Sequence, residues 1–255
     1  MTDALPVRSV LPDLLKALRD GANAVLVAPP GAGKTTAVAP ALIREPWCTG
    51  QILLLSPRRL AARAAAERMA ELAGEPVGHT IGYATRLDSK QSAATRILVV
   101  TEGIFVNRIQ SDPELAGVSA VLFDEVHERS LDCDFGIALA LDAQEALRPD
   151  IRLDGARFSA LMHDAPVIES EGRSYPLTLR HIGRKSEARI EDSMAAAIRT
   201  ALAEEKEGGL LAFLPGVAEI DRTAERLADL PILKLHGSLD PAEQRRAIAP
   251  SKERK

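Results

Sequence analysis

Four short apolar runs, each followed by a stretch patterned as helix, constrain this chain more than any other feature. They are Ala24-Val25-Leu26-Val27-Ala28, Ile52-Leu53-Leu54-Leu55, Ile97-Leu98-Val99-Val100 and Ala120-Val121-Leu122-Phe123. A strand covered on one face alternates apolar and polar residues, whereas one covered on both faces is apolar throughout. Runs this short, with no alternation, predict parallel strands buried on both sides. Helical patterns fill the gaps, at about Lys34 to Arg44, Arg59 to Leu72, Gly103 to Ile109 and Cys133 to Leu147. Before the first strand, Leu11, Leu14, Leu15 and Leu18 mark one face of an amphipathic helix that Gly21 closes. Strands alternating with helices predict an α/β fold built from βαβ units, a parallel sheet with helices on both faces.

Local details refine this expectation. Pro40 should kink or shorten the helix after the first strand, because its ring removes a donor and crowds the preceding turn. Ala61, Ala62, Ala64, Ala65 and Ala66 would let the second helix lie close to the sheet, although alanine also favours helix for its own sake. Between Asp164 and Tyr175, proline, glycine and mixed charge suggest a linker. The chain therefore divides into a first domain at 1–164 and a second at 165–255. The second resumes the alternation. Strands are expected at Leu177-Thr178-Leu179, Leu210 to Leu214 and Ile232 to Leu235, and helices at Ile190 to Glu205, Val217 to Leu227 and Pro241 to Ala249. It has too few strands to match the first and reads as incomplete.

Composition excludes several classes. The 255 residues carry a formal charge of −4, so any nucleic-acid contact must use a local basic groove. Aromatic residues make up only 3%, which leaves little for stacking bases. Cys48 and Cys133 stand far apart in no paired motif, which points to a reducing compartment without a metal framework. No apolar run approaches the roughly 20 residues of a membrane span. The start of the chain lacks a signal-peptide pattern. The expectation is a cytoplasmic protein with no membrane partner.

The first strand leads into Ala28-Pro29-Pro30-Gly31-Ala32-Gly33-Lys34-Thr35-Thr36. Gly31 and Gly33 allow a tight turn whose amides point at phosphate oxygens, and the next helix offers its positive end to the same anion. Lys34 can reach the β and γ phosphates, and the Thr35 hydroxyl is placed for Mg²⁺. A chance Gly-rich turn would not need a strand before it and a helix after it. At the end of the fourth strand, Asp124 is placed to bind the metal and Glu125 to polarise a water. His127 and Glu128 do not suit zinc, since no second histidine lies one helical turn away.

In their order and wording these motifs resemble the DEAH-box helicases of superfamily 2. Ala28 to Thr36 is similar to motif I, Ser56-Pro57-Arg58-Arg59-Leu60-Ala61-Ala62 to motif Ia, Thr101-Glu102-Gly103 to motif Ib and Asp124-Glu125-Val126-His127 to motif II. Phe213-Leu214-Pro215-Gly216 is similar to motif IV, and His236-Gly237-Ser238-Leu239 to the segment after it. The resemblance implies a P-loop (RecA-like) domain followed by part of a second one, and an ATP-dependent RNA helicase using ATP and Mg²⁺. It implies that Pro30, Gly31, Ala32, Gly33, Lys34, Thr35 and Thr36 bind the nucleotide, with Lys34 also counted among the catalytic residues. Thr35 and Asp124 would hold the metal, Glu125 would be the catalytic base, and His127 would link the nucleotide site to the second domain. Arg58, Arg59 and Thr101 would touch the backbone of single-stranded RNA, or of another nucleic acid, without reading its sequence. Arg68 would stack on the adenine, with Ile248 a weaker candidate for the opposite side. A guanidinium stacks well but reads no base edge, so selectivity among nucleotides should be loose.

The chain departs from that family in two places. A strand near Ile151 and Leu153 should run on into a Ser-Ala-Thr motif, motif III. Instead Asp154-Gly155 follows, read as a turn, and Ser159-Ala160-Leu161 has leucine for threonine. Motif III is expected to be missing, and its strand shortened. Motifs V and VI, of which motif VI supplies arginines to the nucleotide, would lie beyond Lys255. The alternative to a working helicase is thus a fragment that binds ATP and RNA without productive turnover.

Overall fold

The computed structural model describes residues 5–21, 23–29, 31–128, 130–155, 162, 164–171, 177–183, 187–205 and 207–249. These fall into two compact units, 1–175 and 176–255.

In the first unit, α1 (Leu11–Asp20) precedes β1 (Asn23–Val27), α2 (Lys34–Leu42), β2 (Gln51–Ser56) and α3 (Arg59–Ala73). Then come a hairpin of β3 (Ile81–Ala84) and β4 (Ser89–Lys90), β5 (Ile97–Thr101), α4 (Glu102–Ser111) and β6 (Val118–Phe123). The unit finishes with α5 (Leu131–Ala146), β7 (Arg152–Gly155) and β8 (Val167–Glu169). One sheet takes the order β4-β3-β5-β2-β6-β7-β1-β8, and every pairing is parallel except β3 with β4.

The absence of alternation has the expected cause. Successive residues of a strand point to opposite faces, and here both faces are covered. Leu26, Ile52, Leu54, Ile97, Val99 and Leu122 pack with α1, α2 and α3. Val25, Leu53, Leu55, Leu98, Val100, Val121 and Phe123 pack with α4 and α5 on the other side. On α3 the alanines that meet the core are Ala62, Ala65, Ala66 and Ala70, while Ala61 and Ala64 are exposed. Pro40 lies inside α2, which ends two residues later at Leu42.

The structure differs from the sequence expectation at several elements. The β3–β4 hairpin was not foreseen. The 164–175 stretch, expected as a linker, contains β8, whose pairing with β1 carries the first unit past residue 164. Asp154-Gly155, expected as a turn, forms the end of β7. Over its four described residues β7 lies between β6 and β1. Ser159-Ala160-Leu161 lies outside the described residues.

In the second unit α6 (Ile190–Glu204), α7 (Val217–Arg226) and α8 (Pro241–Ile248) form where expected. Arg222–Glu191 and Arg226–Asp192 ion pairs tie α6 to α7. The three expected strands do not form among the described residues. A strand exists only by pairing, and Leu177, Leu179, Leu211 and Phe213 stand largely exposed.

Candidate nucleotide site

The phosphate loop joins β1 to α2. Gly31 and Gly33 take φ values of 79° and 88°, the left-handed region that side chains resist. A Cβ on Gly33 would also meet the Leu5 side chain at 2.7 Å. The Ala32 carbonyl accepts from the Val7 amide at 3.1 Å, which fastens the loop to the turn Pro6–Ser9. The first amides of α2 have no acceptor within their own helix, so they present donors and positive potential outward.

Two residues of this loop meet the acidic motif at the end of β6. Lys34 Nζ lies 2.8 Å from Asp124 Oδ1, and Thr35 Oγ1 donates to Asp124 Oδ2 at 2.5 Å. Asp124 is buried, follows directly from β6, and accepts the Glu125 amide on Oδ1 at 2.9 Å. Burial works against the Lys34 ammonium. The Asp124 carboxylate, with Asp154 and Glu125 adding to it, outweighs burial and holds the lysine above its ordinary pKa. Glu125 sits at φ 53°, a left-handed conformation unusual for a residue with a side chain. His127 belongs to the turn Val126–Glu128 that follows.

The candidate nucleic-acid residues lie at the same edge of the sheet, past the carboxyl ends of β2 and β5, where open α/β sheets bind ligands. Arg58 precedes α3, is exposed, and donates to Glu128 at 3.0 Å, which joins motif Ia to the turn after motif II. Arg59 is exposed at the start of α3. Thr101 closes β5 and precedes α4. Thr36 Oγ1 donates weakly back to the Gly33 carbonyl at 3.4 Å. Arg68 is exposed and paired with Glu71 on its own helix at 2.6 Å, not with a loop residue. Ile248 is exposed on α8, in the second unit. Pro30 lies outside the described residues.

Sequence reasoning missed two groups. Ser130 Oγ donates to the buried Glu102 carboxylate and accepts the Cys133 amide at 2.9 Å, which links motif Ib to the start of α5. A serine just ahead of a helix was the available signal. The second is Asp154, a buried carboxylate whose Oδ1 accepts the Leu26 amide at 3.1 Å. Burial pushes its pKa up to about 7, against the Leu26 hydrogen bond and Lys34, with Asp124 adding to the rise. It shares with Lys34, Thr35 and Asp124 the wall of a cavity of about 10 Å³ under the loop, room for roughly one water. A carboxylate breaking an apolar strand was its signal.

A tight Gly loop between strand and helix, with lysine and threonine meeting an aspartate from another strand, defines a P-loop nucleotide-binding domain. Residues 8–160 match the DEAD/DEAH box helicase family, and the chain belongs to that family. It is 45% identical over 260 residues to the ATP-dependent RNA helicase HrpB of Escherichia coli, a match covering 97% of this chain and 32% of that protein. It is 34% identical over 264 residues to the ATP-dependent RNA helicase HrpA of the same organism, covering 96% of this chain and 20% of that protein. The crystal structure of the E. coli DEAH/RHA helicase HrpB superposes with a TM-score of 0.90 at 44% identity, over 98% of this chain and 34% of that one. The chain thus spans about a third of the length of HrpB and a fifth of HrpA.

Proposed function

We propose that this chain binds ATP with Mg²⁺ and single-stranded RNA as the ATP-binding part of a DEAH-box RNA helicase. The observation that carries the reading is the meeting of Lys34 and Thr35 on the two oxygens of Asp124. The donor set suits Mg²⁺: a hydroxyl and a carboxylate oxygen lie 2.5 Å apart. Among the described residues no cluster of three or more acidic, histidine or cysteine side chains could cage a metal by itself. Mg²⁺ usually takes one or two carboxylates and completes its shell with phosphate and water. Bound there, the metal would neutralise charge on the transferring phosphoryl group. Lys34 would turn from Asp124 to the β and γ phosphates, and the loop amides would hold the remaining oxygens. Glu125, next in chain to the metal-binding carboxylate, would accept the proton of the attacking water, and His127 would relay the nucleotide state onward. Arg58, Arg59 and Thr101 would hold an RNA backbone along the same sheet edge, giving affinity without sequence preference. Cys48 and Cys133 are both buried and not joined in a disulfide, which supports a cytoplasmic location; among the described residues no helix is long and apolar enough to cross a membrane.

The test is a titration with ATP and Mg²⁺. The melting temperature should rise, and hydrolysis stimulated by single-stranded RNA should vanish in Lys34→Ala and Glu125→Gln. No thermal response to nucleotide would refute the reading. One feature of the sequence favours binding without productive turnover: Asp154-Gly155 follows Leu153 where the resemblance places the strand leading into motif III. Under that alternative the thermal shift remains and hydrolysis stays at background.

A further inference from the structure

The pairing of β7 with β1 covers Asn23↔Leu153 and Ala24↔Asp154, yet β1 continues to Val27. Alternate amides of a parallel strand face opposite neighbours. The Val25 amide faces β8 and donates to the Pro166 carbonyl at 2.9 Å. The Leu26 amide faces β7, and its partner is not a carbonyl but Asp154 Oδ1 at 3.1 Å. A side chain thus extends the ladder by one step, at the point where β1 leads into the phosphate loop. The same carboxylate stands in the wall of the cavity that Lys34, Thr35 and Asp124 share. It therefore adds a second acidic group beside the lysine that must meet the triphosphate.

We propose that Asp154 is a positioning residue of the nucleotide site: its oxygen anchors the end of β1 beneath the phosphate loop, while its charge opposes the phosphates. The proposal rests on the nucleotide reading above. Its two parts separate by substitution. Asp154→Asn keeps an oxygen for the Leu26 amide and removes the charge. Asp154→Leu removes both.

The experiment measures binding of fluorescent mant-ATP and mant-ADP, with Mg²⁺ at about pH 8, to the full chain and both variants, alongside melting temperatures. At this pH Asp154→Asn, which buries no charge, should melt above the parent and bind mant-ATP about tenfold tighter, as expected for removing one nearby charge at an effective dielectric near 20. Its gain for mant-ADP should be smaller, because one phosphate is absent. Asp154→Leu should lower the melting temperature, and the asparagine variant is the rescue that a purely steric role would not distinguish from it in affinity. An asparagine variant that binds no tighter than the parent overturns the proposal. If the parent and both variants all fail to bind either nucleotide, the nucleotide reading itself falls, and this inference with it.

Discussion

Gln144→Leu offers the sharpest test of how this sheet is held together. Asn23 begins β1 and Gln144 lies in α5, and both are buried. Their side-chain amides exchange two hydrogen bonds, Asn23 Nδ2 to Gln144 Oε1 at 2.9 Å and Gln144 Nε2 to Asn23 Oδ1 at 2.7 Å. Gln144 Nε2 also donates to the Ile151 carbonyl at 2.8 Å, just before β7. One side chain therefore ties a helix to two adjacent strands. Replacing it with leucine leaves an amide donor, an amide oxygen and a carbonyl without these partners. Each buried polar group left unsatisfied costs roughly 1–3 kcal/mol, and apolar packing by leucine returns part of that. The expected loss is about 3–5 kcal/mol. The paired change Asn23→Leu with Gln144→Leu removes both amides and strands only the Ile151 carbonyl, so it should cost about 2 kcal/mol less than the single change. Urea unfolding reports it directly, because the chain's one tryptophan, Trp47, lies in the first unit. A Gln144→Leu loss below about 0.5 kcal/mol, or a double variant as unstable as the two singles summed, would refute the reasoning.

Lys34→Met should abolish the thermal response to ATP. It should also cost about 3 kcal/mol in the absence of nucleotide, since it strips a buried aspartate of its cation; urea unfolding with and without nucleotide checks both. The Asp154 carboxyl has a folded pKa of about 7 against an ordinary 3.8, so the folded chain holds a proton that the unfolded chain releases. Its contribution is therefore fully present below about pH 4 and is lost as pH rises to about 7, a change of at most roughly 4 kcal/mol. Melting temperature against pH should fall more steeply across that window for the parent than for Asp154→Asn, and parallel curves would contradict it. Gly50→Ala should lose more than about 3 kcal/mol, because its Cβ would lie 2.3 Å from the Gly117 carbonyl oxygen where β2 meets β6; circular dichroism melting is sufficient to check this.

The four buried strands were legible because a strand covered on both faces leaves an unbroken apolar signature. The phosphate loop was legible because its glycines, lysine and threonine are contiguous. Meeting of that loop with Asp124, 89 residues from Thr35, followed only from the parallel arrangement and the family resemblance. The β3–β4 hairpin was hidden by Gly82, whose missing Cβ lets the Lys90 carbonyl oxygen approach to within 2.5 Å of its site. Proline and glycine around β8 read as a linker, yet Val167, Ile168 and Glu169 pair with β1 all the same. Asp154 was misread because Asp-Gly usually turns the chain, whereas here the Leu26 amide recruits the carboxylate into the sheet. In the second unit the apolar runs were legible and the strands were not formed, since composition marks a strand but neighbours make one.

The left-handed backbone at Glu125 bears on how this chain could drift over generations. A side chain in that conformation costs about 1–2 kcal/mol, which glycine avoids and asparagine reduces. Random substitution under selection for robustness alone would therefore remove the glutamate, and would do so with a gain in stability. Under the proposed role of Glu125 as the base, its presence sets durability and chemistry against each other at a single position, so thermostable descendants of this chain should be expected to trade away the carboxylate rather than the fold.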